Sequence, residues 1–170
     1  MVLVIATAAG SAPLSTNPIT TILDKLSTDW RENSPAASAI TFARRFADLS
    51  KDYGIFVKHL ITTSPPAVLG SSRYRFTARY KVHVLAKGPV LQDIFDRKFA
   101  MEQEIRRIVK TDRRALFNDG FEEWHIDDDF QEIETGNESR ANTGIAADIS
   151  LVLRSVATIT LIWDGVVVED

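Results

Sequence analysis

Residues 73–86, RYRFTARYKVHVLA, constrain the fold of this chain more than any other stretch. Side chains alternate between faces along a strand. Tyr74, Phe76, Ala78, Tyr80, Val82 and Val84 fall on one face, and Arg73, Arg75, Thr77, Arg79, Lys81 and His83 fall on the other. A period of two, kept this strictly and rich in aromatic and β-branched residues, predicts a strand with one core face and one basic face. Lys87-Gly88-Pro89 then breaks it, with Pro89 suited to the first turn of a helix. A helix is predicted from about Val90 to Thr111. Leu91, Ile94, Phe95, Met101, Ile105, Ile108 and Val109 form its apolar stripe, acids lie near its start and bases near its end. At 1.5 Å per residue it spans about 33 Å, enough to cross a sheet.

Around that unit the chain reads in order. Val2–Ala6 is a short strand and 10–17 a linker, so residues 1–17 form an N-terminal arm. Asn17 or Thr16 caps a helix with Pro18 at its first position, and Ile19, Ile22, Leu23, Leu26 and Trp30 make its buried stripe. Strands follow at Ile40–Phe46 and Ile55–Thr62. Residues 64–72, SPPAVLGSS, read as an exposed loop. After the long helix, Phe121–Ile133 is a strand with Trp124, Ile126 and Phe130 on one side and Glu123, His125, Asp127 and Asp129 on the other. Ile145–Leu161 alternates over more residues than one strand usually holds, so a break is expected near Arg154-Ser155. Asp164-Gly165 between two β-rich runs signals a tight hairpin. Strands cluster instead of alternating with helices. The expectation is α+β: a largely antiparallel sheet, two amphipathic helices on one face, a core domain at 18–155 and a C-terminal hairpin at 156–170.

Composition sets limits. A chain of 170 residues is one domain, or one domain with arms. Its net charge of -3 points to neither nucleic acid nor membrane. It has no Cys, which excludes disulfides, thiol catalysis and Cys-ligated metal sites. No apolar run approaches the ~18 residues that cross a bilayer. The start, MVLVIATAAG, carries no Lys or Arg and reads as a strand or arm rather than a signal sequence.

The basic row Arg73, Arg75, Arg79 and Lys81 is the sharpest polar feature, and three readings stand. It pairs with the acidic face of the 121–133 strand; it forms a subunit contact or lines a channel; or it binds nucleic-acid phosphates. The aromatic residues lie on the opposite face, so no base-stacking platform accompanies it. His125 and Asp127–Asp129 could supply metal ligands. Alternation, however, sends Asp128 away from the other three, which favours a solvated acidic face and no metal. An enzyme built around His125 and these acids is the remaining catalytic possibility. No nucleophile elbow, phosphate loop or dinucleotide fingerprint is present, so neither catalytic residues nor a cofactor are expected.

The order of these features carries a resemblance. A first helix ends in Trp30, with Asn33 and Pro35 soon after. Phe42-x-Arg44-Arg45 follows, then the strand at Tyr53–Leu60, the basic-aromatic strand, and a helix containing Glu104-Ile105-Arg106-Arg107-Ile108-Val109. Over about residues 18–155 this resembles the tail-terminator and tail-completion proteins of archaeal tailed viruses and proviruses. The resemblance implies a structural virion protein, not an enzyme. Such a protein forms a homo-oligomeric ring, a hexamer on this resemblance, that caps the tail tube and joins it to neck and adaptor proteins. Viral DNA passes through its lumen without sequence-specific binding, and no membrane is involved. It belongs to the virion and to the host cytoplasm during assembly. Arg73, Arg75, Arg79 and Lys81 would then face the lumen or a neighbouring subunit, and the terminal β-arms would add strands to adjacent copies. A tube or adaptor component, or a cytosolic nucleic-acid-binding module using residues 73–83, are the alternatives.

Overall fold

The computed structural model describes residues 4–7, 17–63, 73–111, 123–133 and 151–168. In chain order the elements are β1 (Val4–Thr7), α1 (Pro18–Thr28), β2 (Ile40–Ala43), β3 (Tyr53–Thr63), β4 (Arg73–Gly88), α2 (Leu91–Thr111), β5 (Glu123–Ile133) and β6 (Leu151–Val168). The fold is α+β, with one mostly antiparallel sheet and the helices packed on one face.

β4 and β6 are the spine. They pair antiparallel from Arg73↔Val166 to Gly88↔Leu151 without a register shift. β3 flanks β4, and β2 joins the far side of β3 in the one parallel pairing among the described strands. The other edge of β6 is shared. β5 pairs its Arg154–Ile162 stretch, and β1 pairs Gly165–Val168. β2 covers only Tyr53–Phe56 of the outer edge of β3, so Val57–Thr63 have no strand beside them there among the described residues.

The alternation in β4 is realised. Phe76, Ala78, Tyr80, Val82 and Val84 are buried under the helices together with Trp124, Ala157, Ile159, Leu161 and Trp163. α1 begins as its sequence predicts: the Asn17 side chain accepts a hydrogen bond from the Ile19 N–H at 2.9 Å, and Pro18 occupies the first turn. Ile22, Leu23, Leu26 and Trp30 are buried, and the Trp30 indole donates to the Pro35 carbonyl at 3.1 Å. The Glu104–Val109 motif is a clamp. Ile105, Ile108 and Val109 enter the core. Glu104 accepts from the Arg31 N–H at 2.6 Å, and the Arg107 guanidinium donates to both Glu104 and the Asp29 carbonyl. These bonds fasten α2 to the end of α1, and the Arg107 hydrogen bond holds the Glu104 carboxyl below the usual carboxylate range.

Four expectations are corrected. Asp164-Gly165 is not a hairpin turn, because β6 runs through it with Gly165 opposite Tyr74 of β4 and Thr7 of β1. No break occurs at Arg154-Ser155: β4 is long enough to pair both halves of β6, and Ser155 is anchored by donating to Glu102 at 2.5 Å. A boundary at 155 therefore falls inside a strand whose Ala157, Ile159, Leu161 and Trp163 belong to the core. The strand expected at Ile40–Phe46 ends at Ala43 and gives way to a 3-10 turn at Phe46–Asp48. Residues 64–72, expected as a loop, lie outside the described residues.

Candidate functional site: the open face of the sheet

On the other face of the sheet only the 3-10 turn at Phe46–Asp48 packs among the described elements, through Phe46 against Phe56, and the rest of that face carries the polar rows. β4 contributes Arg75, Arg79, Lys81 and His83, and strand pairing brings them neighbours that the linear pattern does not show. Across β3, Lys58 stands directly opposite Lys81. Across β6, Arg79 lies opposite Thr160, and Lys81 opposite Thr158. One strand further, β5 bulges between Ile126 and Asp128 and again between Asp128 and Gln131. The bulges overturn strict alternation. Asp128 stands opposite Thr158, on the same side as Asp127, while Asp129 pairs with Arg106 of α2 at 2.7 Å. A bulge that re-aims side chains in this way is a usual means of shaping a surface.

The four predicted residues meet different fates. Arg73 opens β4 opposite Val166, and nothing is described of its side chain. Arg75 is exposed, in register with Asp164. The Arg79 guanidinium reaches across β6 to Asp127 at 3.4 Å, and Thr160 donates a short hydrogen bond to the same carboxylate. Lys81 is half-buried, and neither it nor Lys58 makes an ion pair or hydrogen bond among the described residues. The pairing of basic row with acidic strand is thus seen at Arg79, and Lys81 takes no part in it among the described residues. Like charges directly opposed on a sheet repel, so the Lys58–Lys81 step is a local excess of positive charge. Lys58 could not be found from β4 alone; its membership follows from the β3–β4 register.

Between these rows lies a shallow cleft of about 410 Å³. Leu60, Arg79 and Lys81 form one wall, Asp127, Asp128 and Gln131 the other, and Val156 and Thr158 the floor. His125 Nε2 is 2.9 Å from Asp127, whose other oxygen accepts from Thr160. The hydroxyl therefore bonds to the carboxylate and not to the imidazole, so His125 is not placed to take its proton. Among the described residues no group of three acidic or histidine side chains is placed to hold a metal ion.

At the other end of the face the sheet is closed by stacking. His83 lies parallel to Phe56 with centroids 4.2 Å apart, and the Arg154 guanidinium sits 5.2 Å from the Phe56 ring. Arg154 also donates to His83 Nδ1 at 3.0 Å. Burial first, then the charges of Arg154, Lys81 and Lys58, pushes the imidazole down to about 4. His83 is therefore neutral at pH 7 and acts as an acceptor. His59 is exposed and bonded to Thr62 at 2.8 Å.

A single helix layer on a mostly antiparallel sheet, with most of the second face open and charged among the described residues, makes this protein an α+β domain. A scan against protein-family models found no match, and a search of curated proteins found no significant match.

Proposed function

We propose that this chain is a structural virion protein of a tailed virus, a ring-forming tail terminator that joins the tail tube to the neck. The observation that carries the reading is the largely uncovered sheet face with Lys58 opposed to Lys81 and, among the described residues, no carboxylate on either. A sheet that needed only to fold would neutralise or cover that step. A wall past which DNA slides benefits from positive charge without base-reading groups, because phosphate contacts carry no sequence information. The order of Trp30, the 73–86 strand and the Glu104–Val109 helix supports the same reading by resemblance. In it, Arg75, Arg79, Lys81 and Lys58 face the lumen, the helices face outward, and tail-tube and neck proteins are the axial partners.

Electron microscopy of the purified chain tests this. Closed rings with one subunit number are expected. Open filaments would assign the chain to a tail tube instead. Single subunits at every concentration would overturn the ring. The same lysines support a second reading, a monomeric nucleic-acid-binding module. That reading requires DNA affinity that falls steeply with salt and is lost in Lys58→Thr, Lys81→Thr in a chain that stays a single subunit.

A further inference from the structure

β4 brings neither Phe76 nor Tyr80 to its basic row, because both are buried under the helices. The fold supplies two rings from elsewhere. Phe56 of β3 stands opposite His83 and stacks on it. Phe46, from the 3-10 turn at Phe46–Asp48, meets the Phe56 ring edge-on with centroids 5.7 Å apart. Phe56 is buried, whereas Phe46 is 55 % exposed. A single exposed phenylalanine is ordinary; the charges around this one are not.

The Arg154 guanidinium lies 5.7 Å from the Phe46 ring centroid. Arg44 and Arg45 directly precede Phe46 in the chain and are exposed. Phe56 and Lys58 are two residues apart on β3, as His83 and Lys81 are on β4, so the Lys58–Lys81 step is the next row of the same face, about 7 Å along the strands. The side chains of Arg44, Arg45, Lys58 and Lys81 form no ion pair or hydrogen bond among the described residues. Acids bound this patch on two sides. Asp48 is exposed in the same turn. Asp127 and Asp128 line the far wall of the cleft, on β5, two strands and about 10 Å from β4.

We infer that this end of the open face binds an unpaired nucleic-acid strand, with one base stacked on Phe46 and the adjoining phosphates on Lys58 and Lys81. Bases inside a duplex already stack on their neighbours, so only an unpaired base offers a free face to the ring. Every base has such a face, and stacking on it reads no sequence. The unpaired lysines one row away supply the phosphate contacts. The acids of β5 repel phosphate and keep the strand over β3 and β4 instead of in the cleft. All the residues named belong to one copy. The inference therefore goes beyond the ring and does not depend on its closure.

Fluorescence anisotropy with labelled oligothymidine, and with a labelled duplex of the same length, tests this on the full chain. Oligouridine of that length separates RNA from DNA as the source of the strand. The single strand is expected to bind tighter than the duplex. Phe46→Ser should raise its dissociation constant about tenfold and leave the slope of log Kd against log salt unchanged, because no charge is lost. Phe46→Tyr should bind as the wild type does. Lys58→Thr with Lys81→Thr should lower that slope by about 1.4, the share of two phosphate contacts to a single strand. No single-strand binding at low salt overturns the inference. Equal affinity for duplex and single strand, untouched by Phe46→Ser, overturns it too and leaves a plain phosphate wall. Loss of binding in Phe46→Tyr as well as Phe46→Ser would show that the aromatic ring is not the contact. Displacement of the oligonucleotide by polyglutamate at equal charge concentration would show an acidic protein surface to be as good an occupant, and would also overturn it. Closed rings without single-strand preference remove this site and leave the ring. Single-strand preference in a chain that stays one subunit keeps this site and removes the ring.

Discussion

On the helix side of β4, Phe76, Ala78, Tyr80, Val82 and Val84 are at most 4 % exposed. On the other side, Arg75 and Arg79 are exposed and Lys81 opposes Lys58 with no anion on either among the described residues. The two faces belong to the same residues of the same strand, so backbone and topology are held constant between them. The difference teaches where stability resides. The covered face buries large side chains in close packing, where every missing methylene is felt. The open face holds solvent-screened pairs of small worth and a like-charge step of net cost.

Substitutions that break the contrast are ranked accordingly. Trp124 is fully buried, and Trp124→Ala should cost about 3–5 kcal/mol in urea unfolding. A buried polar cluster on the covered face comes next. The Lys98 ammonium lies 2.8 Å from Glu102, which also accepts from Ser155, with both charged side chains under 10 % exposed. Glu102→Leu alone strands the lysine and should cost roughly 3 kcal/mol, whereas Lys98→Met with Glu102→Leu should be near neutral. If the double variant is as unstable as the single, the cluster contributes more than a paired charge.

His83 sharpens the comparison, because it sits on the open face yet is buried. Its folded-state value of about 4 lies below the ordinary 6.5. The unfolded chain therefore takes up a proton first as pH falls, and stability is full above about 6.5, declines down to about 4 and changes no further from this group. The loss is on the order of 3 kcal/mol. His83→Gln should flatten that part of the urea-unfolding profile relative to wild type; identical slopes would contradict the assignment. The smallest effect belongs to Lys81→Thr. It relieves repulsion and should stabilise by a few tenths of a kcal/mol at low salt, the gain vanishing at about 1 M salt.

What the sequence disclosed follows the same division. The strand at 73–88 and the helix at 91–111 were legible because their periods of two and 3.6 are local properties of the chain. Asp164-Gly165 misled because its turn preference is local too, while the ladders that β4 and β1 build on either side of β6 come from residues far away in the chain. Non-local pairing also brought Lys58 to Lys81 and set Asp127 within reach of Arg79, neither of which spacing along one strand reveals. Leu91 and Phe95 have the right period for burial. They are nevertheless 55 % and 46 % exposed, because the stripe that enters the core, Ile94, Met101, Ile105 and Ile108, is narrower than the apolar pattern.

The central claim is that the covered face folds the chain while the surfaces left uncovered assemble it. Molar mass by light scattering across a concentration series tests it most directly, read beside the melting temperature. The account predicts a discrete multi-subunit species for the wild-type chain. A wild-type chain that remains one subunit at all concentrations would contradict it.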